Sequence, residues 1–283
     1  MNIFLFLARR FIAGETFEQA KEVVKRLNDK GFSVTLDILG ESVTNKEQAE
    51  KARDIYIELL KNINTLRLNS NVSLKLTQMG LDIDDSYCHE NVVKIVKTAI
   101  GYKNFVRIDM EGSRYTQRTI DIFEKIHRVY PENIGMVIQS YLYRSKKDII
   151  HAIENRHRIR LCKGAYKEPP DIAFPDKKDV NKNFEEMTKE LLLNGNYPAI
   201  ATHDEKFIDI AKNFAIEKGI SKYKFEFQML YGIRRDLQER LIAEGYKLRI
   251  YVPYGVYWMP YTIRRIRERK ENLWFVIKNV FRK

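Results

Sequence analysis

Phe32-Ser-Val-Thr-Leu-Asp-Ile-Leu39 alternates apolar and polar residues, and this alternation decides the fold. Residues of one parity, such as Val34 and Leu36, are apolar, whereas Thr35 and Asp37 of the other parity are polar. Successive side chains of a β-strand point to opposite faces, so the segment is predicted to be a strand with one apolar and one polar face.

Eight β-like runs of this kind follow one another at fairly even spacing. They are Phe32–Leu39, Val72–Thr77, Phe105–Met110, Ile134–Ser140, Ile159–Lys163, Ala199–His203, Phe225–Leu230 and Leu248–Val252. Charged segments of helical period separate them, for example Asn45–Leu68, Tyr87–Ile100, Phe184–Leu193 and Glu205–Lys218. Such alternation predicts parallel βαβ units, and eight units predict an α/β fold closed into a (β/α)8 TIM-like barrel. No Pro-, Gly- or Ser-rich linker divides the chain, so we expect residues 1–283 to form one barrel domain.

The polar parity of the strands indicates what the interior of the barrel holds. Because helices must cover the apolar face, polar residues such as Ser73, Arg107 and Glu226 are expected to point inward. Charged groups there are costly unless they pair with one another or with a ligand. An ion-pair network and an active site both fit this pattern, and the network is the simpler explanation for Arg107 and Glu226.

Several of these polar residues lie toward the C-terminal ends of the predicted strands, where barrels of this type place their chemistry. They are Lys75, Asp109, Gln139, Lys163, His203 and Tyr251. Their position favours the active-site interpretation over a purely structural ion-pair network.

A further candidate site follows the last predicted strand. The pattern predicts a strand end, a Pro/Gly turn and a helix in the segment Tyr251-Val-Pro-Tyr-Gly255 to Trp258-Met-Pro-Tyr-Thr-Ile-Arg-Arg-Ile-Arg-Glu268. On that helix Tyr261, Arg264 and Arg265 fall within an arc of about 100°. Two adjacent guanidinium groups beside an aromatic ring could clamp a carboxylate or phosphate. A solvated basic helix is the competing interpretation.

Composition narrows the function classes. The net charge of +12 fits a basic RNA- or membrane-binding module, but Lys and Arg alternate with Glu and Asp over most predicted helices. That pattern is typical of solvated helix faces, so we expect no nucleic-acid partner. The two cysteines and five histidines show no ligand spacing, which predicts a reduced compartment and no metal.

Both ends of the chain carry apolar residues. Met1–Ala8 resembles a signal core, but Arg9 and Arg10 follow it instead of preceding it, so a packed N-terminal helix is expected. Near the other end, Trp274–Ile277 and Val280–Phe281 lie among basic residues. They fit an extra C-terminal helix packed on the domain, or a peripheral contact with an anionic membrane surface.

The absent motifs leave two enzyme classes open. The chain contains no Gly-x-Gly, no Gly-x-Ser-x-Gly elbow and no His-Glu-x-x-His helix. One remaining class is a lyase or aldolase that forms a Schiff base through Lys75 or Lys163. The other holds an organic cofactor over the strand ends and uses it for redox chemistry.

Six motifs resemble, in matching order along nearly the whole chain, the bacterial monofunctional proline dehydrogenases (the proline oxidase family). They are Ser73-Leu-Lys-Leu-Thr77, Arg107-Ile-Asp-Met-Glu111, Arg160-Leu-Cys-Lys-Gly-Ala-Tyr-Lys-Glu-Pro169, Ala201-Thr-His-Asp204, Glu226-Phe-Gln-Met-Leu-Tyr-Gly232 and the segment from Tyr251 to Glu268. The resemblance implies a distorted (β/α)8 barrel with FAD at the C-terminal ends of its strands. It also implies that L-proline is oxidised to Δ1-pyrroline-5-carboxylate and that the electrons pass to a quinone.

The same resemblance implies a role for individual residues. Asp109, Arg160 and Tyr251 would be catalytic, with Asp109 either a base or an orienting group. The FAD contacts would be Met110, Gln139, Arg160, Lys163, Gly164, Ala165, Thr202 and His203. The substrate contacts would be Lys75, Tyr166, Tyr261, Arg264 and Arg265. A separate pyrroline-5-carboxylate dehydrogenase is expected downstream, and the expected location is cytoplasmic, with or without peripheral contact with the inner face of the cell membrane.

Overall fold

The computed structural model describes residues 10–40 and 42–267, with side chains up to residue 263. Within these ranges eight parallel strands close into a barrel, each strand pairing with its neighbours in the chain and β8 pairing with β1. The strands are β1 Ser33–Ile38, β2 Ser70–Leu74, β3 Val106–Ile108, β4 Ile134–Gln139, β5 Ile159–Cys162, β6 Ala199–Ala201, β7 Glu226–Leu230 and β8 Leu248–Tyr254. The predicted (β/α)8 fold is therefore confirmed.

Helices alternate with the strands and cover the outside of the barrel. In the described part of the chain they are α1 Phe17–Asp29, α2 Lys46–Thr65, α3 Asp85–Gly101, α4 Ser113–His127, α5 Ser145–Glu154, α6 Lys177–Asn194, α7 Glu205–Glu217, α8 Arg235–Ala243 and α9 Trp258–Arg267. Their apolar faces pack on the apolar parity of the strands, so Tyr56 of α2 and Phe123 of α4 are fully buried in one core with Val34 and Leu36. The apolar face of the helices and the apolar face of the strands thus bury each other, as the periodicity of the sequence predicts.

The polar parity points into the barrel, as predicted. Arg160 on β5 bonds to Ser73 on β2, and Tyr251 on β8 bonds to Asp109 at the end of β3. Neither pair of strands is adjacent in the sheet, so both contacts must cross the interior.

Several predicted strand ends were wrong by one or more residues, most clearly in β2. That strand was predicted to run to Thr77, but it ends at Leu74 and a 3₁₀ turn occupies Leu76–Met79. The Thr77 amide and hydroxyl bond to the Glu111 carboxylate, at 3.1 and 2.6 Å, instead of to a neighbouring strand. The sequence still alternates apolar and polar residues beyond the end of β2, because Leu76 is buried although it lies outside the strand.

The strands that end early do so for the same reason, since the residues after them leave the sheet and enter the loops above it, whereas the last residues of β8 still pair with β1. β3, β4, β5 and β6 end one or two residues before the predicted positions, and β8 runs two residues further.

The helix predicted around Pro260 is α9, whose first turn contains that proline at a position where no intrahelical N–H bond is lost. The predicted helix at Met1–Ala8 and the apolar segment Trp274–Phe281 lie outside the described residues, and the one-domain prediction for residues 1–283 stays a prediction. None of the helices within residues 10–40 and 42–267 combines the length and apolar character needed to cross a membrane.

Candidate active site

A cavity of about 690 Å³ opens at the C-terminal ends of the strands. It collects thirteen of the residues predicted from the sequence, namely Lys75, Asp109, Met110, Gln139, Arg160, Lys163, Gly164, Ala165, Tyr166, Thr202, His203, Tyr251 and Tyr261. The side chains of Arg264 and Arg265 lie outside the described residues, although α9 carries both positions. The roles of all fifteen residues stay predictions.

Asp109 is the centre of the polar network inside this cavity. Its Oδ1 accepts hydrogen bonds from Ser73 Oγ at 2.5 Å and from Arg160 Nη2, and its Oδ2 accepts one from Tyr251 Oη at 2.7 Å. Burial alone would raise the pKa of Asp109, but Arg160 and Lys75 hold it below its usual range. The carboxylate is therefore charged at neutral pH and its acceptor positions are largely occupied.

Asp37 on β1 completes the network, and the sequence analysis did not include it among the site residues. Lys75 Nζ lies 3.0 Å from Asp37 Oδ1, 3.2 Å from its Oδ2 and 3.9 Å from Asp109 Oδ2. Burial raises the pKa of Asp37 despite the nearby ammonium group. Its polar parity near the C-terminal end of β1 was a usable signal for its position.

Arg160 connects the network to the opposite wall. Its Nη1 donates to Gln228 Oε1 at 3.3 Å, and its guanidinium carbon lies 5.2 Å from the centre of the Tyr251 ring. Burial disfavours the charge, yet the Asp109 carboxylate raises the pKa of Arg160 above its ordinary value. The guanidinium group is thus a fixed positive charge with a defined orientation.

Two features of the cavity wall are suited to a planar, hydrogen-bonding ligand. Gln139 Nε2 donates to the Met110 carbonyl at 3.3 Å, while its buried Oε1 has no hydrogen-bond partner among the described residues. Gly164 has φ +104°, and a Cβ atom there would overlap the Tyr141 ring. Only glycine fits against the Tyr141 ring at this point of the cavity wall, and a buried acceptor without a partner, such as Gln139 Oε1, is the position where a ligand donor would be stabilised.

The loops after β5 and β6 supply the remaining polar groups. Lys163 Nζ lies 3.5 Å from Asp204 Oδ2 and 4.0 Å from the centre of the Phe207 ring, and burial lowers the pKa of this lysine. His203 Nε2 accepts from the Leu230 amide at 2.8 Å, which leaves the ring proton for Nδ1 in the neutral form.

The lower part of the barrel interior is different, and there the ion-pair interpretation holds for Glu226 but not for Arg107. Glu226 Oε1 lies 2.9 Å from Arg249 Nε and accepts from Gln228 Nε2 at 2.6 Å. Arg107 donates to backbone carbonyls of the neighbouring strands. Within the described ranges no group of three or more His, Cys, Asp or Glu side chains is arranged to hold a metal ion.

Comparison with known proteins decides the family. A family model described as proline dehydrogenase matches residues 20–278. The chain belongs to the proline dehydrogenase family. The family resemblance noted in the sequence is therefore confirmed, and membership implies L-proline as substrate and a flavin as cofactor.

Curated relatives match this chain over nearly their full length. Proline dehydrogenase 2 of Bacillus subtilis is 45% identical over 276 residues, which cover 98% of this chain and 91% of that protein. Proline dehydrogenase of Deinococcus radiodurans is 40% identical over 280 residues, covering 98% and 90%. These matches assign the chain to an oxidoreductase family and not to the Schiff-base lyases or basic binding modules.

Solved structures agree on the fold. Proline utilization A (PutA) from Bdellovibrio bacteriovorus superimposes with a TM-score of 0.88 at 25% identity, covering 93% of this chain. The chain spans only 33% of that PutA protein. PutA from Bradyrhizobium japonicum, at 22% identity and a TM-score of 0.78, has the same fold.

Proposed function

We propose that the upper cavity binds FAD and L-proline side by side, and that the protein oxidises L-proline to Δ1-pyrroline-5-carboxylate and passes the electrons to a quinone. The buried network centred on Asp109 carries this proposal, because it places fixed charges and hydroxyl donors around a cavity large enough for a cofactor and a small substrate. Family membership supplies the reaction class.

The cavity wall fits a flavin. Gln139 offers a buried acceptor and Arg160 offers a buried positive charge, while Gly164 lets the loop after β5 pack against the Tyr141 ring at the cavity wall. The residues that would hold FAD are Met110, Gln139, Arg160, Lys163, Gly164, Ala165, Thr202 and His203. When bound, the flavin supplies the hydride acceptor, and a nearby guanidinium group would stabilise negative charge on its reduced form.

Proline would lie between the flavin and α9. Its carboxylate is expected to pair with Arg264 and Arg265, with Lys75 as a third cation. Tyr166, Tyr251 and Tyr261 would contact the pyrrolidine ring, since aromatic side chains combine apolar surface with a polar tip. Positioning of this kind accounts for much of the rate enhancement in a hydride transfer.

We infer that Asp109 orients its neighbours and does not act as a base. Its pKa lies below its usual range, and three donors already occupy its oxygens. A general base at neutral pH works best with a pKa near 7 and an accessible lone pair. Asp109 therefore fixes the direction of Arg160 and Tyr251.

The decisive experiment is a visible spectrum of the purified protein before and after L-proline is added without oxygen. We expect flavin absorbance that bleaches with L-proline and returns with a soluble quinone. A colourless protein, or a yellow one that L-proline does not bleach, would contradict the proposal. PutA from Bdellovibrio bacteriovorus has been inactivated by N-propargylglycine, and we expect the same compound to abolish the activity of this protein.

The clamp can be tested separately with Arg264→Met and Arg265→Met. Carboxylate binding is largely shared by the ground and transition states, so each change should raise KM for proline more than it lowers kcat. A large fall in kcat at unchanged KM would show that these residues do something other than hold the carboxylate.

We further propose that the quinone is membrane-borne, that the protein contacts the membrane only peripherally, and that a separate dehydrogenase consumes the product. The high positive charge supports attraction to an anionic bilayer. Co-sedimentation with vesicles containing phosphatidylglycerol, compared with neutral vesicles, tests the contact. No binding to either vesicle type, or equal binding to both, would argue against an electrostatic contact with the membrane.

A further inference from the structure

A second cavity, of about 700 Å³, lies at the opposite, N-terminal end of the barrel. Its lining includes five cationic side chains, those of Arg67, Lys103, Arg107, Arg158 and Arg249, and two carboxylates, those of Glu132 and Glu226. Arg67, Lys103 and Glu132 are exposed at the rim, so the interior holds Arg107, Arg158 and Arg249 against Glu226. This is a surplus of two positive charges, which is unusual for an interior that only has to be stable.

The carboxylates do not neutralise the two innermost arginines. Glu226 pairs with Arg249, at 2.9 Å. Arg107 Nη1 instead donates to the Met136 carbonyl at 3.1 Å and the Arg158 carbonyl at 2.5 Å. Among the described residues, no carboxylate oxygen lies within 4.0 Å of a side-chain nitrogen of Arg107 or Arg158.

Both guanidinium groups are held in place without a direct ion pair, although Glu226 attracts both at longer range. Their carbon atoms lie 4.9 Å (Arg107) and 4.5 Å (Arg158) from the centre of the same ring, that of Phe105. Arg158 also lies 5.1 Å from the centre of the Tyr197 ring. Its Nε is buried and has no hydrogen-bond partner within residues 10–40 and 42–267. Aromatic contacts thus position the charges, while donor capacity remains unused.

The backbone is shaped to admit the buried guanidinium group. A Cβ atom at Gly135 on β4 would overlap Arg107 Nη1 and the Arg158 carbonyl oxygen, and it would lie 2.8 Å from the Phe105 ring. Arg107 itself is only 4% exposed. The absence of a side chain at residue 135 therefore makes room for a charge that its protein neighbours do not neutralise.

We propose that this lower cavity is a binding site for a small multivalent oxyanion, carrying either phosphate groups or several carboxylates. Each guanidinium group can hold two such oxygens with two parallel hydrogen bonds, and asparagine side chains at the same rim can add neutral donors. Burial, together with repulsion from Arg160 and Arg158, lowers the pKa of Arg107. A bound anion would stabilise the charged form of this side chain.

The alternative is that the lower cavity is a water-filled structural layer, since the N-terminal end of such barrels normally serves stability. A structural layer would be expected to balance its charges, as the upper network does with two cations and two carboxylates. The surplus is what separates the two explanations. The inference does not depend on the proposed redox function, because the test below measures binding without proline or quinone.

The test is isothermal titration calorimetry of the full-length protein, as purified, with inorganic pyrophosphate and, separately, with citrate at constant ionic strength. We expect saturable binding of one anion per chain. Preference for pyrophosphate would identify a phosphate site and preference for citrate a polycarboxylate site, and either supports the proposal. No saturable heat with either anion would overturn it.

Variants locate the binding. Arg158→Gln should weaken the affinity by about tenfold or more, which is the loss of one charge-assisted contact. Arg128→Gln is the matched control, because Arg128 is exposed and lies outside the cavity lining. If Arg158→Gln fails to fold, Arg67→Gln at the exposed rim carries the same test. Unchanged affinity in the folded variant would show that the anion binds elsewhere and would refute the assignment.

Discussion

Asp109→Asn is the most direct test of the buried charge network in the candidate active site. Asp109 is 8% exposed and accepts hydrogen bonds from Ser73, Arg160 and Tyr251. Removing one partner of a buried ion pair costs about 3–5 kcal/mol, because the other charge is left uncompensated. Asparagine keeps one acceptor oxygen for these donors, so we expect a loss of about 3 kcal/mol in the free energy of unfolding, at the lower end of that range.

Urea denaturation of the flavin-loaded protein at pH 7 measures this loss. The matched control is Asp85→Asn, which removes the same type of partner from Arg118 at 2.5 Å in an exposed pair. Surface pairs contribute about 0–1 kcal/mol, so the control should change the free energy of unfolding by no more than that. Equal and small losses in both variants would refute the view that the Asp109 network is desolvated and coupled.

The same variant makes a prediction about pH with a defined sign. The pKa of Asp109 is lower in the folded protein than in the unfolded chain, so its contribution is complete above the unfolded value, about 3.9, and is lost as the pH falls below it. The difference in stability between the wild type and Asp109→Asn should therefore be constant from pH 7 to about 5 and shrink below about 4. A difference that grew on acidification would contradict this assignment.

Three further changes test separate features. Tyr251→Phe removes a hydroxyl that donates to a buried carboxylate, and stopped-flow reduction by L-proline should slow by about tenfold or more, whereas an unchanged rate would mean that the ring only packs. Gly164→Ala places a Cβ atom against the Tyr141 ring at φ +104° and should lower the flavin content per chain, whereas Gly101→Ala, which meets no atom within 4 Å, should not. Burial lowers the pKa of His157 to about 4, so stability should decline as the pH falls from about 6.5 toward 4, and His157→Phe should flatten that decline in thermal melts.

The parity of the strands was sufficient to predict which strand residues point into the barrel, whereas several other cavity residues, such as Gly164 and Tyr166, were predicted only from the family resemblance. Thr35 and Asp37 on β1 point inward because Val34 and Leu36 must face the helices, and the same reasoning places Arg160 and Tyr251 in the interior. Side-chain direction is a local property of a strand, so the sequence reports it reliably.

The height of a side chain along the barrel axis could be predicted only coarsely, from the end of the strand at which the residue lies. Arg249 and Tyr251 share one strand and one parity, yet Arg249 belongs to the lower ion pair and Tyr251 to the upper network. The pairing of Asp37 with Lys75 was also missed, since it depends on how two strands are staggered in the sheet. Stagger is set by the packing of the whole barrel, which no short segment of sequence determines.

The charge balance of the upper network explains why a substrate clamp outside the strands is needed. Lys75 and Arg160 are opposed by Asp37 and Asp109, so these four interior groups carry no net positive charge, and Lys75 can contact an incoming carboxylate without neutralising it. Gln228 lies between the upper network and the Glu226–Arg249 ion pair below it. Its amide oxygen accepts a hydrogen bond from Arg160 and its amide nitrogen donates one to Glu226, so this neutral side chain adds no charge to either group of residues. A substrate with its own carboxylate must then be matched by cations from elsewhere. We propose that the arginine pair at positions 264 and 265, on the helix that follows β8, supplies these cations.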